Sequence, residues 1–416
     1  MRLLCIYQHA PTRGAPGIYR HRRLLSALAA RGWDVDLVST PVNYMTGAVP
    51  PGYGGAYSAE TIDGIRHHWV WAPGGIHRSR GRRAANYLAF ALSSAVRSLT
   101  LPRPDVILAS SPPVPVATVG ALAAARFRRP WALEVRDLWP ESAASVGWLD
   151  EASPLYRLVD RVARRHTSHA GAVIVPNAGL TEGVRRHGAK DVRVVTGAVL
   201  DERSTDEERR RARLELGLDD DTCAVVYPGA LGVANGLDLV LDAMRLLPGD
   251  ARVRLFLVGD GSARAELERR VEQERLSAVT VVGPVAKERV RDYLAAADVC
   301  LHSLRADPLF EESLPTKVLE YFSAHRPFVT TVPGLPRTLA LESGGGFGGD
   351  PSALAAELER WSSLAAADRA ALGERAYEYG AANFGLEPTV DALEGLLNDL
   401  IAGNVRGTLL RPRIDG

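Results

Sequence analysis

The stretch Glu312-Ser-Leu-Pro-Thr-Lys-Val-Leu-Glu320 sets two glutamates around seven residues. It follows an apolar run, Ala297-Asp-Val-Cys-Leu-His302, short enough to be a buried strand. Pro315 suits the first turn of a helix, where its missing N–H costs nothing. The spacing predicts a helix through Leu319, Tyr321 and Phe322, with Glu312 in the loop ahead of it. Loop and helix N-terminus form a place for anionic groups, because the first N–H groups are free and the helix dipole is positive there. Lys317 and Glu320 are three apart, so a cation and a carboxylate share one face.

A cation suits a phosphate, and a carboxylate suits a pair of sugar hydroxyls. A nucleotide sugar offers both. Two glutamates at this spacing also occur in ordinary helices, so the stretch gains its meaning from the rest of the chain.

At 416 residues the chain exceeds a usual single domain, and two domains are expected. Fifty basic residues against 49 acidic ones give no global argument for nucleic-acid binding. Arginine supplies nearly all the positive charge; the lysines are Lys190, Lys287 and Lys317. A lysine inside the central stretch hints that a point charge is wanted there. Cys5, Cys223 and Cys300 are far apart in apolar runs, which reads as buried free thiols in a reducing compartment. Met1 to Tyr7 is too short for a signal segment or a membrane span, so a cytoplasmic protein is expected.

From the start, Leu3 to Tyr7 reads as a strand, followed by a loop with Gly14 and Gly17, then a helix carrying Leu24, Leu25 and Leu28, then a strand over Val35 to Val38. Strand, glycine loop, helix, strand opens a Rossmann-like unit. The loop is not G-x-G-x-x-G and no acidic residue ends the second strand, which excludes the usual dinucleotide fingerprint. Residues 41–77 read as a long irregular connection. Arg78 to Arg103 reads as a helix whose apolar face includes Leu88, Phe90, Leu92, Val96 and Leu99. It covers a sheet with a solvated basic edge, the reading preferred here, or else lies on a membrane near a lipid-linked acceptor.

Val106 to Ser111 is a further strand, and Trp131 to Arg136 another, running into Asp137-Leu-Trp-Pro-Glu141. Open parallel sheets bind ligands beyond the C-terminal ends of their strands, which is where Arg136, Asp137, Trp139 and Glu141 fall. Glu134 inside that run requires a partner. Residues 201–221 read as a charged connection. Its Asp219-Asp-Asp221 could hold a metal and a diphosphate, but placed before a strand it reads as solvated linker, and no metal is assigned. Ala224 to Tyr227 begins a second strand-and-helix series, with turns at Gly229 to Gly236, at Gly259-Asp-Gly261 and at Gly283 to Val285. From Leu354 the chain is helical to about Ile401, broken near Gly385 and Pro388, and residues 404–416 form a loose tail.

Taken together, nearly the whole chain resembles the retaining GT-B glycosyltransferases of family 4. The central stretch is similar to their E-x7-E element. Gly32-Trp-Asp-Val35 resembles their R-G-H-E-V turn, Gly259-Asp-Gly261 their strand-end G-x-G, and Ala297-Asp298 their A-A-D segment. Arg136-Asp-Leu-Trp-Pro-Glu-Ser142, with Ser110-Ser-Pro-Pro113, is similar to a bacterial subgroup that transfers amino sugars in surface-polysaccharide assembly. The resemblance implies an α/β GT-B fold, two Rossmann-like domains facing across a cleft. Residues 1–200 with a returning helix at about 386–402 would form the acceptor domain, residues 201–385 the donor domain, and 403–416 a tail. It implies a nucleoside-diphosphate sugar as co-substrate, no other cofactor, and a lipid-linked sugar or small molecule as acceptor, with peripheral membrane contact left open.

In that frame Glu320 holds the donor ribose, Glu312 reaches the transferred sugar, and backbone groups of Leu314, Pro315 and Thr316 meet sugar and diphosphate. Gly229, Gly232, Asn235, Gly259, Gly261 and Val285 border the donor, and Gly14 and Gly17 close on its phosphates. Arg136 and Asp137 join the catalytic set, and Trp139, Glu141, Ser110 and Ser111 face the acceptor. Many members clamp the diphosphate with an Arg and a Lys where this chain has Ala230 and Asn235; Lys317, Arg136, Arg305 and Arg20 are the candidate replacements. Many also place a histidine after the strand ending at Ser111; that role has no holder here, and His9 and His21 read as ordinary loop and helix residues. Another two-Rossmann sugar enzyme (a phosphorylase or an epimerase) and a catalytically silent nucleotide-sugar-binding protein are the alternatives.

Overall fold

A computed structural model describes residues 1–404 apart from 14, 16–18, 146, 307 and 312–313; the side chains of Ser145, Lys287, Glu288, Pro308, Leu309 and Thr316 are also outside the description. The chain divides into unit 1, Met1–Thr196 with Glu387–Gly416, and unit 2, Gly197–Leu386.

Unit 1 is built on eight strands: β1 (Arg2–Ile6), β2 (Asp34–Ser39), β3 (Tyr57–Ile62), β4 (Ile65–Val70), β5 (Val106–Ser111), β6 (Trp131–Val135), β7 (Ala172–Val175) and β8 (Val192–Val194). Their order is β3-β4-β2-β1-β5-β6-β7-β8. All pairs are parallel except β3 with β4. The central strands are apolar runs buried on both faces, as helix-covered parallel strands must be. The order reverses between β1 and β5, and there the crossovers diverge and leave a crevice. The last helix, Leu386–Ala402, belongs to this unit: Arg31 pairs with Asp391 and Glu394, each at 2.7 Å, and Trp33 Nε1 donates to Glu394 at 2.7 Å.

Unit 2 has six parallel strands, β9 (Cys223–Pro228), β10 (Val253–Val258), β11 (Val279–Gly283), β12 (Val299–His302), β13 (Phe328–Thr330) and β14 (Gly346–Phe347), in the order β11-β10-β9-β12-β13-β14. That is the doubly wound Rossmann order, with its reversal between β9 and β12. Successive residues of β9 feed opposite cores, Val226 with Phe256, Val318 and Phe322, and Val225 with Leu255, Leu301 and Trp361.

Three local readings change and one sharpens. The stretch 41–77 is not all irregular: β3 and β4 form a hairpin whose turn residues, Asp63 (φ 51°) and Gly64 (φ 79°), are an Asp-Gly pair of the kind such turns favour. The charged connection is not simply solvated. The helix Asp206–Glu215 is capped by reciprocal Thr205 and Glu208 bonds, and Arg209 and Arg213, four apart, both reach the buried Asp298, at 2.7 and 3.0 Å. Asp298 also accepts from Ala224 N at 2.8 Å and lies 3.4 Å from Arg369. The break expected near Gly385 and Pro388 falls at Gly385, which ends the helix Ala366–Phe384; Pro388 sits in the first turn of the next helix, where no intrahelical donor is lost. Finally, the helix Arg80–Thr100 turns inward Asn86, Phe90, Ser94 and Ser98, not its leucines. Asn86 bonds Gln8 and the Pro73 carbonyl at 2.6 and 2.8 Å, so a polar anchor and two serines set the rotation of the helix.

Candidate functional site

The strand ends beside the unit 2 reversal bring together Tyr227, Gly229, His302 and Lys317. The helix Thr316–Ser323 is held by Val318, Tyr321 and Phe322, all fully buried, and Tyr321 Oη donates to Leu301 O at 3.1 Å. Pro315 is the N-cap, one position earlier than the sequence reading put it, and Leu314 is buried. So anchored, the helix lays Lys317 across the end of β9: Nζ donates to Tyr227 Oη at 3.0 Å and sits 4.3 Å from the centre of that ring. A Cβ at residue 229 would fall 2.0 Å from Nζ, so only glycine, here at φ +154°, leaves room for the ammonium. Burial lowers the Lys317 pKa to about 8, against the opposing pull of Glu320. His302 below it, bonded to Thr330 Oγ1 at 2.9 Å, is lowered to about 3 by burial and by Lys317, and stays neutral.

The surrounding turns are built around close backbone approach. A side chain at Gly259 would meet Gly229 O at 1.8 Å, and one at Gly261 the Leu231 carbonyl at 2.5 Å. Asn235 is not extended outward: its Oδ1 accepts from Gly232 N at 3.2 Å. Arg305 is tied by its backbone to Ala234 O at 2.9 Å, while its exposed guanidinium lies 3.7 Å from Asp238. Val285 is partly buried against the unit 2 core, and Glu320 is exposed one turn beyond Lys317. Glu312, Gly14 and Gly17 lie outside the described residues.

In unit 1 the reversal between β1 and β5 holds a cavity of about 520 Å³, lined by Tyr7, His9, Asn43, Tyr87, Pro112, Arg136, Asp137 and Trp139 among others. Arg136 is fixed by its N–H to Ser111 O at 2.8 Å and by a guanidinium bond to Pro112 O, and it lies 5.0 Å above the Tyr7 ring. Burial, with Arg136 and Arg83, lowers His9 to about 3, and its buried Nδ1 has no partner. Tyr87 and Trp139 meet edge to face at 6.4 Å. From the sequence His9 reads as an ordinary loop residue, and nothing there singles out Asn43, Tyr7 or Tyr87. The available signal for His9 was its place just past the end of the first strand.

Other candidates have internal duties. Glu134 does have partners: His21, Arg20 and Ser110 all bond its carboxylate. Burial pushes that carboxyl up, but His21 and Arg20 outweigh it and hold it well below its usual range. Arg20 also donates to the Thr196 and Val195 carbonyls, at 3.0 and 2.5 Å, which commits its guanidinium inside unit 1. Ser111 is buried at the end of β5. Glu141 pairs with His187 at 2.7 Å, with Asp160 nearby, a grouping able to hold a cation. Arg164 already binds both Asp160 oxygens, at 2.7 and 2.9 Å. Asp219 accepts from Thr222 and Asp221 pairs with Arg252 at 2.6 Å.

The chain matches two families in series, one described as "Glycosyl transferase 4-like domain" over residues 17–197 and one as "Glycosyl transferases group 1" over residues 222–363. It is 31% identical over 181 residues to the D-inositol 3-phosphate glycosyltransferase of Xylanimonas cellulosilytica, an alignment covering 39% of this chain and 41% of that protein. The chain thus spans about two fifths of the length of the first curated relatives it matches. Among solved structures it resembles sucrose-phosphate synthase from Thermosynechococcus elongatus, with a TM-score of 0.66 and 21% identity over 97% of this chain and 99% of that one. It also resembles HepE of Anabaena, solved with UDP-glucose, with a TM-score of 0.66 and 16% identity over 96% of this chain and 100% of the other. These neighbours have the GT-B fold.

Proposed function

We propose that this chain, which matches two glycosyl transferase families in series and has the GT-B fold, moves a sugar from a nucleoside-diphosphate sugar to a hydroxyl of a lipid-linked sugar or small-molecule acceptor, with retention of anomeric configuration. The observation that carries the reading is Lys317, held over Gly229 at the unit 2 reversal with Glu320 one turn on. The lysine supplies the cation for a diphosphate and the glutamate the carboxylate for a ribose. HepE, solved with UDP-glucose, supports this class of donor. Glu312 addresses the transferred sugar, backbone N–H groups at Leu314 and Thr316 meet the sugar and diphosphate, and Gly232, Gly259, Gly261 and Val285 frame the base.

The unit 1 cavity is the acceptor half. Trp139 and Tyr87 offer flat faces to a ring, and Arg136 and Asp137 offer polar groups at its side. In the reaction the bond from the anomeric carbon to phosphate oxygen breaks as the bond to the acceptor oxygen forms on the same face. The acceptor proton passes to the leaving diphosphate. Lys317 and the free N–H groups of its helix stabilise the growing phosphate charge, and no divalent ion is required. The Arg136-Asp-Leu-Trp-Pro-Glu-Ser142 segment supports the amino-sugar subgroup of family 4, and three buried free thiols support a cytoplasmic setting.

The test is turnover of a panel of nucleotide sugars and acceptors in the presence of chelator, with the product anomer read by NMR. A retained product is expected; an inverted one, or activity abolished by the chelator, overturns this mechanism. Glu320→Ala should weaken nucleoside-diphosphate binding by about ten-fold or more, since each charge-assisted bond to a ribose hydroxyl contributes roughly 1.5–3 kcal/mol. Wild-type affinity by calorimetry in the folded variant would remove Glu320 from the ribose. The uncharged Ala230 and Asn235 favour a second reading, a nucleotide-sugar-binding protein without turnover. Binding with no transfer to any acceptor would support that instead.

A further inference from the structure

The helix Arg80–Thr100 presents an apolar stripe to solvent. Leu88, Leu92 and Val96, four residues apart, are 64%, 70% and 62% exposed. They lie opposite the buried stripe of Asn86, Phe90, Ser94 and Ser98. A solvent-facing stripe of a globular protein normally carries charge. The helix Pro115–Phe127 packs beside it and adds Leu122, half exposed, and the helix Pro154–His169 packs beside that one and adds exposed Leu155 and Leu158. Together the three helices contain nine arginines and a single acidic residue, Asp160, which Arg164 neutralises.

This face is continuous with the cavity of unit 1. Tyr87, adjacent in sequence to Leu88, lines the cavity, and Arg83 lies 4.1 Å over the ring of Trp148, which lines it too. Trp148, Tyr44 and Met45 leave apolar surface exposed at the same opening. Leucines set among arginines, with almost no carboxylates, match an anionic lipid surface: acyl chains take the leucines and head-group phosphates take the guanidinium groups. A second copy is disfavoured, because a two-fold contact would set this basic face against itself. No described helix is long and apolar enough to cross a membrane, so the contact is peripheral.

We propose that this face docks on an anionic bilayer, and that the acceptor is a lipid-linked sugar whose head enters the cavity while its chain stays in the leaflet. The proposal rests on the cavity's reading as the acceptor half. Flotation of the full chain with phosphatidylglycerol-containing vesicles and with pure phosphatidylcholine vesicles tests it. The wild type should float with the anionic vesicles and be released by salt. Leu88→Glu, Leu92→Glu and Val96→Glu combined should reduce that binding by about ten-fold or more. All three side chains are exposed, so circular dichroism and nucleotide affinity should not change. Equal flotation of the triple variant, or no flotation of the wild type with anionic vesicles, overturns the membrane contact. A dimer that the triple variant dissolves also overturns it, assigning the face to self-association. Transfer to a soluble short-chain acceptor as fast as to a lipid-linked one overturns the acceptor half. Failure of the glycosyl-transfer reading would show separately, as absence of nucleotide binding, which flotation does not measure.

Discussion

Lys317→Met should lower kcat by about 10²-fold or more, while leaving unit 2 folded. A diphosphate carries more negative charge as it leaves than in the bound donor, so a cation fixed against it acts chiefly on rate. The lysine is well prepared for this. It lies against the Tyr227 ring and hydroxyl, in space that Gly229 leaves open. Gly229→Ala should therefore reproduce much of the loss without touching the lysine, because the new methyl occupies the ammonium's position. Asn235→Lys added to Lys317→Met places a cation on the turn after β9 and should recover part of the rate. A Lys317→Met enzyme with near-wild-type kcat would leave the lysine as a packing partner of Tyr227, and Arg305 or Arg136 would be the next cation to test.

The second large effect concerns stability. Asp298→Ala should destabilise unit 2 by about 3–5 kcal/mol, the range for removing one side of a buried ion pair. Arg209, Arg213 and Arg369 converge on this carboxylate, and Arg213 and Arg369 are themselves buried. Without it their charges lie close together with no counter-ion. Asp298→Asn keeps the shape and one acceptor but not the charge, and should fall between the two. Urea unfolding of the variants measures both; an Ala variant within about 1 kcal/mol of wild type would show that the arginines find water instead.

Much of the fold was legible because strands and helices here have clean periods. The runs at Val106 to Ser111, Ala224 to Tyr227 and Ala297 to His302 are apolar and bounded by turns, and each is a buried strand. The hairpin of β3 and β4 escaped notice because β3 is mostly exposed and weakly apolar; only Asp63-Gly64 marked it. The rotation of the helix Arg80–Thr100 ran against hydrophobic patterning, since it was decided by Asn86 reaching Gln8 and Pro73. In unit 2 the place of Lys317 near the start of its helix was readable from the sequence, though not its contact with Tyr227. In unit 1 Tyr7 and His9, Asn43, Tyr87 and Trp139 come from four separate segments, and only the reversal of strand order gathers them. Glu134 was recognisable as needing partners, but not which, because His21 and Arg20 reach it from a helix over a hundred residues earlier.

The most direct test of the central claim is titration calorimetry of nucleoside diphosphates between about pH 7 and about pH 9, in buffers of different ionisation enthalpy, with wild type and Lys317→Met. The lysine titrates at about 8 in the free protein because burial disfavours its charge. A diphosphate placed against it favours the ammonium and raises that value, so binding should take up a proton. Uptake should be small at the lower end and grow as pH passes 8, while affinity falls by up to about ten-fold per unit above it. The methionine variant should show neither the uptake nor the fall. Nucleotide binding with the same proton uptake in both proteins, or no binding of any nucleoside diphosphate to the wild type, would contradict the account.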